Sequence, residues 1–390
     1  MSAYLTTVQF TTVAIACLIS ASVAAIVIAL LGRLAAPLGL VDCPDQRKRH
    51  IGQIPLIGGI AVFAGVLVAA LWLGDHSPFI EVLLGTTCVI ALLGAADDRH
   101  GLSVRLRVLL QTTAILVVIF STGVYVRTLG QFMGHELSLG WMGIPFTVVA
   151  VIGLINAFNL MDGIDGLAGS LALVSIVSMA LFIGPGDVYR PMLLMALMAA
   201  SLLPFLACNL GVVGRKIFLG DAGSMILGYL IAWSLIRISQ VPQTRLAPVG
   251  VLWCVALPVL DTLAVMYRRL RARQSPFKPD RGHIHHILMN AGLGPRVTLV
   301  CLLVLAGLMA LVGEASRKFG HGASLQIFIL LLVTYVFTIN RIWWRQRARL
   351  AHPRKQEAAN DPELGVASDA IQRKPRVVEL HPYQSGKQND

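Results

Sequence analysis

The sequence predicts an all-α, polytopic membrane helix bundle, on three observations. Hydrophobic residues make up 56% of the 390 positions and charged residues only 13%. Mean hydropathy is +0.73, far above that of a soluble chain of this size. Apolar runs long enough to cross a bilayer as a helix, about 20 residues, recur along almost the whole length. In lipid a backbone must satisfy its own polar groups, so such runs fold as helices.

Eleven stretches qualify: 8–32, 54–74, 79–96, 108–125, 141–158, 166–184, 191–208, 222–239, 247–267, 297–313 and 323–340. The first has small residues (SASVAA, 20–25) of the kind a signal peptidase cleaves, but no Lys or Arg precedes it and Arg33 follows it. That pattern predicts a retained helix with its N-terminus outside. The second opens on IPLIGG (54–59), a tight entry, and the third ends on Asp97 and Asp98. The fifth and sixth are separated by NAFNLMDGIDGLAGS (156–170), the eighth opens on LGDAGS, and the ninth leads to DRGHIHH (280–286). After the last stretch, Arg341, Arg345, Arg347 and Arg349 stand with Trp343 and Trp344, a composition suited to an interfacial anchor over anionic lipid. The expected organisation is a membrane domain over 1–350 and a mobile cytoplasmic tail over 351–390, rich in Pro, Gln and charge. No internal repeat is visible, which weighs against an inverted-repeat transporter.

Six cysteines, at 17, 43, 88, 208, 254 and 301, form no C-x-x-C pair and lie mostly in apolar stretches, so they read as small core residues. The net charge of +12 is topological. With the N-terminus outside, 26 of the 32 Lys and Arg residues fall on the cytoplasmic side. The other six are Arg127, Arg190, Arg237, Arg245, Arg317 and Lys318. This obeys the positive-inside rule and puts the C-terminus in the cytoplasm. No aromatic-basic stripe or soluble domain is present to bind nucleic acid.

The same topology puts every conspicuous polar cluster on the cytoplasmic side: RKRH (47–50), DDRHGLS (97–103), the 156–170 stretch, GRKIFLGDAGS (214–224) and DRGHIHH. One site built from several loops accounts for this more economically than five unrelated features. Asp162 and Asp165 are three apart, separated by glycine, in a break between two apolar helices. Charge there calls for a boundary or a water-filled recess, and glycine permits close approach to a ligand. Asp97 and Asp98 are adjacent like charges, relieved either by a cation or by an ion pair with Arg99 or Arg105. Asp221 suits a helix N-cap, yet Gly220, Gly223, Arg215 and Lys216 beside it also favour a phosphate or a phosphate-bound metal. His283, His285 and His286 lack a nearby Cys or carboxylate to complete a zinc site; with Arg281 they fit a phosphorylated ligand better. The chemistry these loops share is charge management around phosphates, and no Walker-A or kinase signature accompanies it.

From about Leu40 to Leu288 the sequence resembles the polyprenyl-phosphate N-acetylhexosamine-1-phosphate transferases, the family that includes WecA-type and MraY-type enzymes. The resemblance rests on VDCPDQRKRHIGQIPLIGGIAVF, ADDRHGLS, NAFNLMDGIDGLAGS, NLGVVGRKIFLGDAGS and HIHH, in matching order and spacing. HIHH and the NLG-to-GDAGS segment resemble the WecA type. The resemblance implies an enzyme of a bacterial cytoplasmic (inner) membrane with its active site on the cytoplasmic face. Its reaction moves N-acetylglucosamine 1-phosphate from UDP-N-acetylglucosamine to undecaprenyl phosphate, releases UMP, and starts a lipid-linked cell-envelope glycan such as O-antigen. Another UDP-N-acetyl sugar is the live alternative donor; an MraY-like peptidoglycan enzyme and a secondary transporter are the remote ones. The resemblance also implies Mg²⁺, with Mn²⁺ as a substitute, on Asp221 with Asp97 and Asp98 beside it. Asp97 is the base or charge-positioning group for the lipid phosphate. Asn159, Asp162 and Asp165 stand on the nucleotide side, Phe218 stacks on the base, and Lys48 approaches the same pocket. Arg281, His283, His285 and His286 hold the sugar and diphosphate. Oligomeric state stays open.

Overall fold

A computed structural model describes residues 2–42, 52–74, 77–132, 134–184, 190–242, 244–274 and 282–360, with no side-chain description for 2–9 or 349–360. Lys48 and Arg281, Asp280 with it, and residues 361–390 of the predicted tail lie outside the described residues. The chain divides into two units, Met1–Asn340 and Arg341–Asp390.

The elements run in the order α1 (Ser2–Leu38), β1 (Val41–Asp42), β2 (Ile54–Pro55), α2 (Gly58–Leu73), α3 (Pro78–His100), α4 (Val104–Thr122), β3 (Thr128–Phe132), β4 (His135–Ser138), α5 (Gly143–Met161), α6 (Leu167–Ile183), α7 (Arg190–Asn209), α8 (Gly220–Ser239), α9 (Pro248–Cys254), α10 (Ala256–Arg271), α11 (Ile284–Asn290), α12 (Pro295–Ser316) and α13 (His321–Asn360). The helical expectation holds. Two short antiparallel ribbons, β1 with β2 and β3 with β4, amend the all-α reading.

Among the described residues eight helices are long and apolar enough to cross a membrane, or nine if the bent pair α9–α10 is one span; α2 and α6 are shorter apolar helices. The stretch predicted as one helix over 247–267 is broken, with an 83° bend between Cys254 and Ala256. Pro248 and Pro258 lie in the first turns of α9 and α10, where the missing N–H costs nothing.

Burial identifies the centre. The best apolar window of α8 is 94% buried, against 17% in α1 and 22% in α13, so α8 is the axis and the other two face outward. Helices approach α8 closely because small residues stand at the crossings. A Cβ on Gly94 of α3 would lie 2.6 Å from the Ala222 amide nitrogen, and one on Gly228 would lie 2.6 Å from Ile155 Cα of α5. Without a hydrophobic drive between helices in lipid, such backbone proximity supplies the packing. α2, α3, α5, α6 and α7 all contact α8.

At one end of the bundle α1, α3, α5, α7 and α10 finish while α2, α4, α6, α8 and α12 begin. The IPLIGG entry is fixed there by backbone bonds: Phe218 N–H to Pro55 O (2.8 Å), Gly58 N–H to Phe218 O (3.0 Å) and Gly59 N–H to Leu219 O (2.9 Å). The opposite end is closed by the β3–β4 hairpin, tied to the end of α8 by Gln240, which accepts from Arg127 N–H (2.9 Å) and donates to Thr128 O (3.2 Å). In the second unit Trp343 and Trp344 meet edge to face at 4.8 Å, and the Arg347 guanidinium sits 4.6 Å over Trp343.

Candidate active site

The end of α3 places two carboxylates beside the start of α8, each held by different donors. Asp97 is buried; its Oδ1 accepts from Leu102 N–H (2.7 Å) and its Oδ2 from Arg107 Nη1 (2.6 Å). It thereby locks the α3–α4 turn. The ion pair expected with Arg99 or Arg105 forms instead with Arg107, one helical turn into α4. Asp98 points at the start of α8 and accepts from the N–H groups of Asp221 (2.8 Å) and Ala222 (3.2 Å). A carboxylate there satisfies orphan amides and complements the helix dipole. Gly220, at φ +76, makes room for it, since a Cβ would meet Asp98 Oδ2 at 2.6 Å. The N-cap role considered for Asp221 is thus filled by Asp98 from another helix.

Asp221 is freed for other work. Its Oδ1 accepts from Asn159 Nδ2 (2.7 Å), which also donates to Ser224 Oγ (2.9 Å). Asn159 lies in the last turn of α5 and Asp162 is that helix's C-cap. Asp162 is exposed at the turn between α5 and α6. Desolvation, and then the charges of Asp221, Asp98 and Asp165, push its carboxyl up to about 7. Asp97, Asp98, Asp162 and Asp221 all act electrostatically on one another or on a shared neighbour.

A cation would relieve this crowding. Among the described residues no three His, Cys, Asp or Glu side chains are disposed as a ligand set. The arrangement therefore does not fit a zinc cage. It does fit Mg²⁺, which takes one or two carboxylates and fills its shell with water and substrate phosphate. Asp221 and Asp162 have oxygens for that, and so do Asp97 and Asp98, since a carboxylate oxygen that accepts one hydrogen bond keeps a second lone pair.

Asp165 faces a separate cleft of about 540 Å³, lined by Asn209, Leu210, Lys216, Arg296 and Leu299 among others. Lys216 Nζ pairs with Asp165 Oδ2 at 2.6 Å and lies 5.3 Å from the centre of the Phe218 ring. Asn209, which the sequence reading passed over, holds the cleft together. It accepts from Gly166 N–H (2.6 Å) and donates to Ile217 O (2.8 Å), linking the 156–170 turn to the segment carrying Lys216 and Phe218.

The histidines sit on α11 and just before it. His285 is buried, its ring against Gly163. Burial, with His286 and His283 beside it, lowers its pKa to about 3, so it is neutral at physiological pH. His283 and His285 stack at 5.9 Å, and His286 follows at 4.2 Å from His285. His283 Nδ1 is 2.7 Å from Asp261 Oδ2. Asp261 was missed from sequence, though a lone acid inside the apolar stretch 247–267 was its signal.

The family description "Glycosyl transferase family 4" matches residues 80–239. A Yersinia pestis protein described as undecaprenyl-phosphate alpha-N-acetylglucosaminyl 1-phosphate transferase is 38% identical over 340 residues, 84% of this chain and 93% of its own. The proteins so described from Salmonella typhi and Escherichia coli (strain K12) are 38% identical over 348 and 317 residues. These cover 87% and 80% of this chain, and 95% and 86% of their own.

Proposed function

This chain belongs to glycosyl transferase family 4, and from that membership we propose that it transfers N-acetylglucosamine 1-phosphate from UDP-N-acetylglucosamine to undecaprenyl phosphate, releasing UMP. The product is a lipid-linked diphosphate sugar, the start of an envelope glycan. The observation that carries the reading is the convergence of Asp98, Asn159, Asp162 and Asp221 at the buried start of α8, inside the region of 38% identity.

In this reading the apolar stretches make eleven crossings of a bacterial cytoplasmic membrane, with the N-terminus outside and the acid-bearing end on the cytoplasmic face. The Lys and Arg distribution supports that orientation. Residues 1–350 form the transferase domain and 351–390 a cytoplasmic segment.

The lipid phosphate attacks the sugar-bearing phosphorus; the bond from that phosphorus to the bridging oxygen breaks, and UMP leaves with the oxygen. Asp221, with Asp97, Asp98 and Asp162 beside it, would hold Mg²⁺, or Mn²⁺ in its place, which when bound neutralises charge on the diphosphate. Asn159 orients Asp221, and Asp98 holds the amides of α8 around it. Asp97, engaged with Arg107 and Leu102 N–H, acts as a charge-positioning group. The second ionisation of a phosphate lies near pH 6, so the lipid nucleophile needs little deprotonation. The Asp165–Lys216–Phe218 cleft takes the uridine half, with Phe218 stacking on the base. Lys48 approaches the same pocket, and Arg281, His283 and His286 address the sugar and diphosphate. His285 is neutral and seated on Gly163, which supports a packing role.

The test is UMP release by purified protein with undecaprenyl phosphate, Mg²⁺ and a panel of UDP-sugars. Release from UDP-N-acetylglucosamine that needs lipid and is stopped by a chelator is expected. Release from a different UDP-N-acetyl sugar alone would replace the donor, and no release with any donor would overturn the reading.

A further inference from the structure

Asp261 lies in the first half of α10, fully buried, where an uncompensated carboxylate would be costly. Three groups converge on it. Ile284 N–H (3.0 Å) and the Tyr335 hydroxyl (3.1 Å) both donate to Oδ1, which leaves Oδ2 facing His283 Nδ1 at 2.7 Å. An ionised carboxylate only accepts, so the imidazole must carry a hydrogen on Nδ1. The other ring nitrogen, His283 Nε2, is buried and has no partner among the described residues. A buried polar atom left unpaired is costly, so an atom so placed calls for a ligand group. The ring is stacked within 5° of parallel on His285, whose own ring lies against Gly163 beside Asp162. Elements far apart in sequence, α10, α11 and α13, thus cooperate to fix one ring, stacked on the histidine that lies against the 156–170 turn.

We propose that Asp261 is a positioning residue for the transfer, fixing His283 as the Nδ1–H tautomer so that Nε2 meets the UDP-sugar as a hydrogen-bond acceptor. The complementary groups are the hydroxyls and the acetamido N–H of an N-acetylhexosamine, which donate. An acetamido N–H can only donate, so it is refused by a nitrogen that also carries hydrogen. The inference rests on the donor reading above and extends it by naming the atom that reads the sugar.

Asp261→Asn keeps the shape of the side chain but turns an amide NH₂ towards Nδ1, which reverses the tautomer. The known behaviour of histidine–carboxylate pairs gives the precedent for that reversal. Two readouts are needed. In the first, protein labelled with ¹⁵N-histidine is examined by NMR: native His283 should be the Nδ1–H form, and Asp261→Asn the Nε2–H form. This result does not depend on turnover. In the second, kcat/KM for UDP-N-acetylglucosamine should fall about 10- to 100-fold in Asp261→Asn, with KM for undecaprenyl phosphate unchanged. Tyr335→Phe, which removes one of the three donors, should retain the native tautomer and lose less than about 5-fold. A native His283 in the Nε2–H form overturns the proposal. So does a folded Asp261→Asn with native kcat/KM, or a Tyr335→Phe that loses activity as completely as Asp261→Asn. If the native protein turns over no UDP-sugar, the donor reading fails, while the tautomer measurement still decides whether Asp261 orients His283.

Discussion

Replacing Asp98 separates its role as a clamp on α8 from any direct role in chemistry. In Asp98→Ala the amides of Asp221 and Ala222 lose a carboxyl acceptor at 2.8 and 3.2 Å. A lost cap, part of the dipole interaction and one amide left without a partner together cost about 2–4 kcal/mol. Asp98→Asn retains one acceptor oxygen but sets an NH₂ against the other amide, for about 1–2 kcal/mol. Asp221 rides on the same turn, and a displacement of about 1 Å at a reacting group costs on the order of 100-fold in rate. The assay is thermal unfolding in detergent beside transferase kinetics on the same preparations. Alanine should lower the melting temperature more than asparagine, and activity should fall in the same order. Native melting in Asp98→Ala would refute the clamp; full loss of activity in an Asp98→Asn that melts like the native protein would make Asp98 a group acting on substrate.

Other substitutions follow the same logic. Gly94→Ala drives a methyl into the α8 backbone at Ala222 and should cost about 1–3 kcal/mol by overpacking, read as a lower melting temperature. Asp162→Asn bears on pH. Because the folded pKa, about 7, lies above the ordinary aspartate value of about 3.9, the native protein holds this proton more tightly than the unfolded chain, and stability falls as pH rises between those values. The Asn variant should lose that slope and melt no lower than the native protein above pH 7, yet be inactive; a steeper slope would contradict the assignment. Asp165→Asn breaks the 2.6 Å pair with Lys216 and should raise KM for the UDP-sugar while leaving KM for the lipid alone, since both residues line the cleft assigned to uridine.

Much of this was legible in the sequence because membrane insertion writes itself plainly. Apolar runs named the helices, and acids at their ends, such as Asp162 and Asp221, stood out against lipid-facing surroundings. What the sequence hid was direction. Asp97 and Asp98 are neighbours on one helix, yet one is held by Arg107 and the other by the first amides of α8; a helix rotates successive side chains by about 100°, and only packing says which donors each meets. The bend at 254–256 was hidden because continuous hydropathy masks a break, although Pro258 marked the new start. The β3–β4 hairpin carries too few apolar alternations in nine residues to announce itself. Asp261 was visible as a lone acid in an apolar stretch, but its partners are 22 and 74 residues away.

The account rests on which bond breaks in the UDP-sugar, and one experiment reads that directly. Purified protein is given undecaprenyl phosphate, Mg²⁺ and UDP-N-acetylglucosamine carrying ³²P at the phosphorus next to the sugar and ³H in the sugar. Both labels should enter the lipid in equal amount, matched by unlabelled UMP. Tritium in the lipid with ³²P left in released UDP would mean that the sugar moves without its phosphate, and would contradict the account.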